Sequence, residues 1–278
     1  MFQYAAARTL SLRNSRELFI DAFSGFDSDN FLRQYALGDF AISARLLTRD
    51  EAKHVSSRTQ IRTRILREFE NVCKNSLGVG YIGRVLTGCT AGHFFLDGYW
   101  QSERYFADAA ETIASDFACE QMPSDSGKRI LDEIKAATSV SIHVRRKDYP
   151  VRCSRQYYRA ACERVMSRIP GATFFLFGDD PEWMESLAAN LNSQMECVIV
   201  PGQVRDLDEF EMMRACKHHI IANSTFSWWA AWLSEHAHKE SLIIAPATGW
   251  SSKRDFIRDV VPSRWITLSH EGAQDSDG

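Results

Sequence analysis

Residues 140–149 read VSIHVRRKDY, a short apolar run that ends in a doubled arginine. Val140, Ile142 and Val144 give the run the length and composition of a buried strand. Four more runs of that kind follow at intervals: Thr173 to Phe177, Cys197 to Val200, His219 to Ala222 and Leu242 to Ala245. Between them lie stretches that read as helices, Tyr157 to Arg168, Pro181 to Leu191, Asp208 to Lys217 and Thr225 to Glu235, the second with a proline in its first turn. Strands alternating with helices over short connections predict an α/β domain with a parallel sheet. Such sheets bind ligands in the crevice beyond the carboxyl ends of their strands. The doubled arginine stands at such an end.

Two adjacent guanidinium groups suit a pyrophosphate, because each presents planar donors that match phosphate oxygens and keeps its charge at any working pH. A salt-bridged strand end is the plainer alternative. His143 alternates with Ile142 and Val144, so it is either a core histidine or a neutral donor to a ligand. The next strand ends in Gly178-Asp179-Asp180-Pro181. Asp180, just before the proline, has the position of a helix cap. Asp179 is the better candidate for a base edge or a sugar hydroxyl. The strand His219 to Ala222 runs into Asn223-Ser224-Thr225 and the helix FSWWAAWL. Phe226, Trp229, Ala230 and Leu233 have core-facing spacing, which makes the tryptophans packing residues. Asn223, Ser224, Thr225 and Ser227 cluster at the start of that helix, where free N–H groups and the helix dipole favour a phosphate.

Composition limits the alternatives. The chain has 278 residues, 45% hydrophobic and 25% charged, with a net charge of −3. It has no global basic field for nucleic acid, so an anion site must be local. Seven cysteines without a CxxC pair suggest reduced thiols and no zinc site. No run approaches the length of a spanning helix and no secretion signal is visible. The expectation is a cytoplasmic protein, peripheral at most to the inner face of a membrane. Asp27-Ser28-Asp29 and Asp206-Leu207-Asp208 are DxD patterns, but neither falls where the sheet places a ligand. The paired histidine 218-219, His236 and His238 read as structural or surface residues, and no metal is expected.

The first half is less regular. A helix from Phe2 to Leu12, a strand from Glu17 to Asp21 and a helix from Ser102 to Ala118 are expected, with Glu120 to Lys128 as a linker. The domains are therefore drawn as 1–122 and 123–269, with a disordered tail over 270–278. The chain opens inside what reads as the first helix of an α/β domain with no strand before it. The expectation is that Met1 is internal to a longer natural chain.

HVRRKDY, FFLFGDD, IIANSTFSWWAAWL, LDGYWQSERYF and the opening MFQYAAARTL together resemble the α-1,2-fucosyltransferases of glycosyltransferase family 11, in order, over roughly residues 1 to 250. The resemblance implies a GT-B architecture, two Rossmann-like domains facing across a cleft, with GDP-fucose in the C-terminal one. It implies metal-independent, inverting transfer of fucose from GDP-β-L-fucose to the 2-hydroxyl of a galactose-containing glycan, with no cofactor. His143, Arg145, Arg146 and Asp148 match the family's donor motif. The arginines would neutralise charge on departing GDP. Asp148, or a first-domain carboxylate such as Asp97, would act as base. Where the family pattern has Gly, this chain has Lys147, which costs about 1 kcal/mol if the backbone there is left-handed, or else adds a third cation. Two further readings stay open: an inert GDP-sugar-binding protein, and a fucosyltransferase of different linkage.

Overall fold

The computed structural model describes residues 1–27, 34–54, 96, 100–119, 124–147, 151–191, 195–202, 205–250 and 260–270. The chain divides into two units, one of residues 1–100 with 105–120 and one of residues 101–104 with 121–278. The tail expected over 270–278 lies outside the described residues except for His270.

In the first unit, helix α1 (Phe2–Arg13) is followed by the two-residue strands β1 (Phe19–Ile20) and β2 (Arg45–Leu46), which pair in parallel. Tyr4 Oη donates to Asp116 at 2.5 Å and Arg8 Nε reaches the same carboxylate at 3.0 Å. These bonds tie α1 to α2 (Ala110–Asp116). The single helix expected over 102–118 is instead two 3-10 turns, Glu103–Tyr105 and Ala107–Ala109, and then α2. The Ser102 hydroxyl accepts from the Arg104 N–H, a local bond that competes with regular helix.

The second unit opens with α3 (Asp125–Ala136), capped by the Ser124 hydroxyl, which accepts from the Gly127 N–H. This corrects the linker reading over 124–128, because the Ser, Asp and Gly that suggested a linker are the residue types that start a helix, while residues 120–123 lie outside those described. Then follow β3 (Ser139–Val144), α4 (Arg155–Met166), β4 (Thr173–Gly178), α5 (Pro181–Asn190) and β5 (Glu196–Ile199). The chain continues through α6 (Asp206–Ala215), β6 (His218–Ile220), α7 (Thr225–Ala237), β7 (Ile243–Pro246) and β8 (Ile266–Leu268). Each expected strand and helix from residue 139 onward is present within two residues of its reading. Only β8 was not foreseen, being three residues long.

The six strands are all parallel in the order β5-β4-β3-β6-β7-β8. The order runs outward from β3 in one direction, then resumes at β6 on its other side. The switch point between β3 and β6 is where open α/β sheets form a ligand crevice. All six residues of β3 are buried, which accounts for an apolar run without alternation of exposure. The core of strand residues, α4 and α5 includes Ile142, Tyr158, Phe174, Leu176 and Met184. Helix α7 is buried on every side from Ser227 to Ser234, wider than the single stripe expected. Trp228 and Trp232 stack with ring centroids 6.2 Å apart. Among the described residues no helix is long and apolar enough to cross a membrane, and every described cysteine is free.

Gly178 ends β4 opposite Val144, where a Cβ would lie 2.2 Å from the Val144 carbonyl oxygen. Gly178→Ala should therefore destabilise the protein by about 3 kcal/mol through overpacking, read as a lower urea midpoint with an unchanged slope.

Candidate active site

Strands β4, β3 and β6 are neighbours, so their carboxyl ends bring three sequence-distant segments to one edge: Arg145 to Lys147, Gly178 to Asp180, and Asn223 to Thr225. The register sets Gly178 beside Val144. Asp179 consequently lies beside the residues that leave β3. Its Oδ1 accepts the Arg146 backbone N–H at 2.8 Å and its Oδ2 accepts that of Lys147 at 3.1 Å. The Arg145 Nε lies 3.4 Å from the same carboxylate. Asp179 thus binds the segment that carries the arginines.

The two arginines have different surroundings. Arg145 keeps 36% of its side chain exposed, whereas Arg146 keeps 9%. The Arg146 Nε lies 3.6 Å from Asp180, and its guanidinium carbon sits 4.5 Å from the centre of the Trp183 ring. Asp180 also caps α5 by accepting the Trp183 N–H at 3.2 Å, as its position before Pro181 suggested. Lys147 is exposed and is absent from the described non-glycine residues of positive φ, Ser15 and Trp100. The backbone there needs no glycine. Asp148 and Asp97 lie outside the described residues.

His143 is buried, with its ring 6.0 Å from that of Phe226 at the start of α7. Burial holds its imidazole neutral, down to about 3, reinforced by the Arg145 charge and opposed by Asp179. Its Nδ1 has no hydrogen-bond partner among the described residues. The Asn223 amide donates to the carbonyls of Val151, at 2.8 Å, and Gly249, at 2.9 Å. That side chain staples two loops. The Ser227 hydroxyl is buried and donates to the Ser224 carbonyl at 3.2 Å. No side chain caps α7, and Thr225 is exposed at its first turn. The α7 start therefore offers backbone rather than Asn223 or Ser227 side chains.

Of the two DxD patterns, the one over 206–208 is used internally: Asp208 pairs with Arg205 at 2.6 Å and accepts the Ser124 N–H at 3.2 Å. The pattern at Asp27 runs into residues outside those described. The histidines have structural bonds, His219 Nδ1 with Ser141 Oγ at 2.8 Å and His218 Nδ1 with the Leu242 N–H at 3.0 Å.

Glu209, in the first turn of α6, was not singled out from the sequence. Burial pushes its carboxyl up to about 7, helped by Asp206, and it interacts electrostatically with both Arg145 and Asp179. Within a run of acidic residues it has no distinguishing pattern. Only the packing of α6 beside the crevice reveals it. A partly buried cation, a neutral histidine and an uncapped helix start converge here, an arrangement suited to holding a phosphorylated anion in a site of low dielectric.

Comparison with known proteins agrees on a family. The model of glycosyl transferase family 11 matches residues 34–269. The chain is similar to an alpha-1,2-colitosyltransferase of Escherichia coli, at 27% identity over 96% of this chain and 94% of that one. It is also similar to galactoside alpha-(1,2)-fucosyltransferase 1 of Ateles belzebuth, at 25% identity over 50% of this chain and 42% of that protein. Among solved structures, fucosyltransferase NodZ from Bradyrhizobium aligns with a TM-score of 0.43 at 16% identity, covering 83% of this chain and 87% of that one.

The raised Glu209 value has a definite sign. The group favours the folded state below its ordinary value near 4.5 and loses that favour as pH rises through about 7. Glu209→Gln should therefore raise the melting temperature at pH 8 and leave it unchanged at pH 4, compared by thermal melts at both pH values.

Proposed function

The chain belongs to glycosyl transferase family 11, and from that premise we propose that it transfers L-fucose from GDP-β-L-fucose to the 2-hydroxyl of a galactosyl acceptor, with inversion. The observation that carries the reading is the carboxyl edge of β3 and β4, where Asp179 binds the backbone of Arg146 and Lys147 beside a partly exposed Arg145. The Ateles relative, a galactoside alpha-(1,2)-fucosyltransferase, supports the linkage.

In this mechanism the acceptor oxygen attacks C1 of fucose from the face opposite the leaving group. The C1–O bond to GDP breaks with its electron pair going to the β-phosphate, and the hydroxyl proton passes to a base. Charge grows on the diphosphate as that bond breaks. Arg145 meets it with a fixed guanidinium, and the start of α7 adds its dipole. His143 remains neutral and offers Nδ1 to the bound nucleotide sugar. Asp148 is the residue we assign as base, with Asp97 the alternative. The cations neutralise the leaving group themselves, so the reaction is expected to run without a metal.

A second reading has specific support. One of the similarities that span nearly the whole of both chains is to a colitosyltransferase, which makes colitose an alternative transferred sugar on the same site.

The test is a donor and acceptor panel in EDTA, with linkage analysis of the product. GDP-fucose should give an α-1,2-linked fucosyl galactoside. Transfer only from the colitose donor would select the second reading, and no turnover with any galactoside would refute both. Arg145→Ala should lower kcat/KM by about 10²- to 10³-fold, the scale of losing one preorganised oxyanion donor.

A further inference from the structure

Trp183 sits in the first turn of α5, is 7% exposed, and has two guanidinium groups on its indole. Arg146 approaches the ring centre at 4.5 Å and Arg155 at 4.8 Å. Arg155 is the first residue of α4, where a cation opposes the helix dipole. Its buried Nη1 has no hydrogen-bond partner among the described residues. An aromatic face stabilises a cation by its quadrupole, most strongly when the cation is removed from water. Indole is the best of the aromatic faces for this purpose.

The ring is itself held. Tyr158 packs edge-on against Trp183 with centroids 5.5 Å apart, and donates through its hydroxyl to the His143 carbonyl at 2.9 Å. A continuous packed path therefore runs from the end of β3 through Tyr158 and Trp183 to both guanidinium groups. Packing alone would be served by any large apolar side chain. Holding two cations of like charge on one ring requires the aromatic face.

We infer that Trp183 is a positioning residue for the anion site, fixing Arg146 and drawing in Arg155 as a further guanidinium at the same strand edge. The inference rests on reading that edge as a diphosphate site. It assigns the diphosphate three arginine charges in place of the two that the sequence motif contains. Arg155 works through the field it adds, and Trp183 works through the two arginines.

The test uses the full chain and calorimetric titration with inorganic pyrophosphate and, separately, with GDP. Melting temperature and far-UV circular dichroism are recorded for each variant. Trp183→Leu should weaken pyrophosphate binding about tenfold, and Trp183→Phe, which keeps a ring, should stay within about threefold of wild type. The double variant with Arg146→Ala and Trp183→Leu should bind more weakly than Arg146→Ala alone, but by clearly less than the tenfold that Trp183→Leu costs in wild type, because the indole acts partly through Arg146 and keeps only its effect on Arg155 once that arginine is gone. A folded Trp183→Leu protein with wild-type affinity would overturn the inference, as would full additivity in the double variant. If Trp183→Leu does not fold, Arg155→Gln decides: a severalfold weaker pyrophosphate affinity supports the proposal and an unchanged one overturns it. Wild-type protein that binds pyrophosphate but not GDP would refute the nucleotide reading alone, with the same variant series still read on pyrophosphate. Wild-type protein that binds neither overturns both.

Discussion

The Asp179 carboxylate is the interaction on which the site depends. It accepts two backbone N–H groups from the segment leaving β3 and pairs with Arg145, so one charged group sets the path of the chain that carries the arginines. Hydrogen bonds to an ionised acceptor are about twice as strong as neutral ones. The position follows from the sheet: parallel register sets Gly178 against Val144, with no room for a Cβ. The residue after that glycine is delivered to the residues after Val144. Close strand approach and the carboxylate clamp are thus parts of one device.

Around this clamp the polar groups divide their work. Arg146 is turned inward to Asp180 and Trp183, and Arg145 retains access to solvent. On the other side of β3 the α7 start brings a positive dipole without a capping side chain. Desolvation strengthens these fields and keeps His143 uncharged. Glu209 is the opposing element, a half-buried carboxyl held near 7 beside the same cation.

The parallel sheet was legible because its inner strands β3, β4 and β7 are buried on both faces, and a strand such as 139–144 then has to be an apolar run. The edge that would hold a ligand followed from the same pattern. The fate of individual side chains was not legible. Asn223 reads as a phosphate contact, yet its amide is committed to the carbonyls of Val151 and Gly249, which lie far away in sequence and meet it only in the folded sheet. The Ser and Asp of residues 124–126 suit either a linker or a helix cap, and only the Gly127 N–H that meets Ser124 decides between them. Trp183 looks like any core aromatic until two arginines are found on its ring. Glu209 belongs to an acidic run whose buried member no spacing rule selects.

The central claim is that the carboxyl edge of β3 and β6 grips a nucleotide diphosphate. A crystal structure of the protein with GDP tests it most directly. The account predicts the diphosphate against the Arg145 guanidinium and the first backbone N–H groups of α7, with His143 alongside. A diphosphate bound away from Arg145, or a nucleotide seated elsewhere on the sheet, would contradict it.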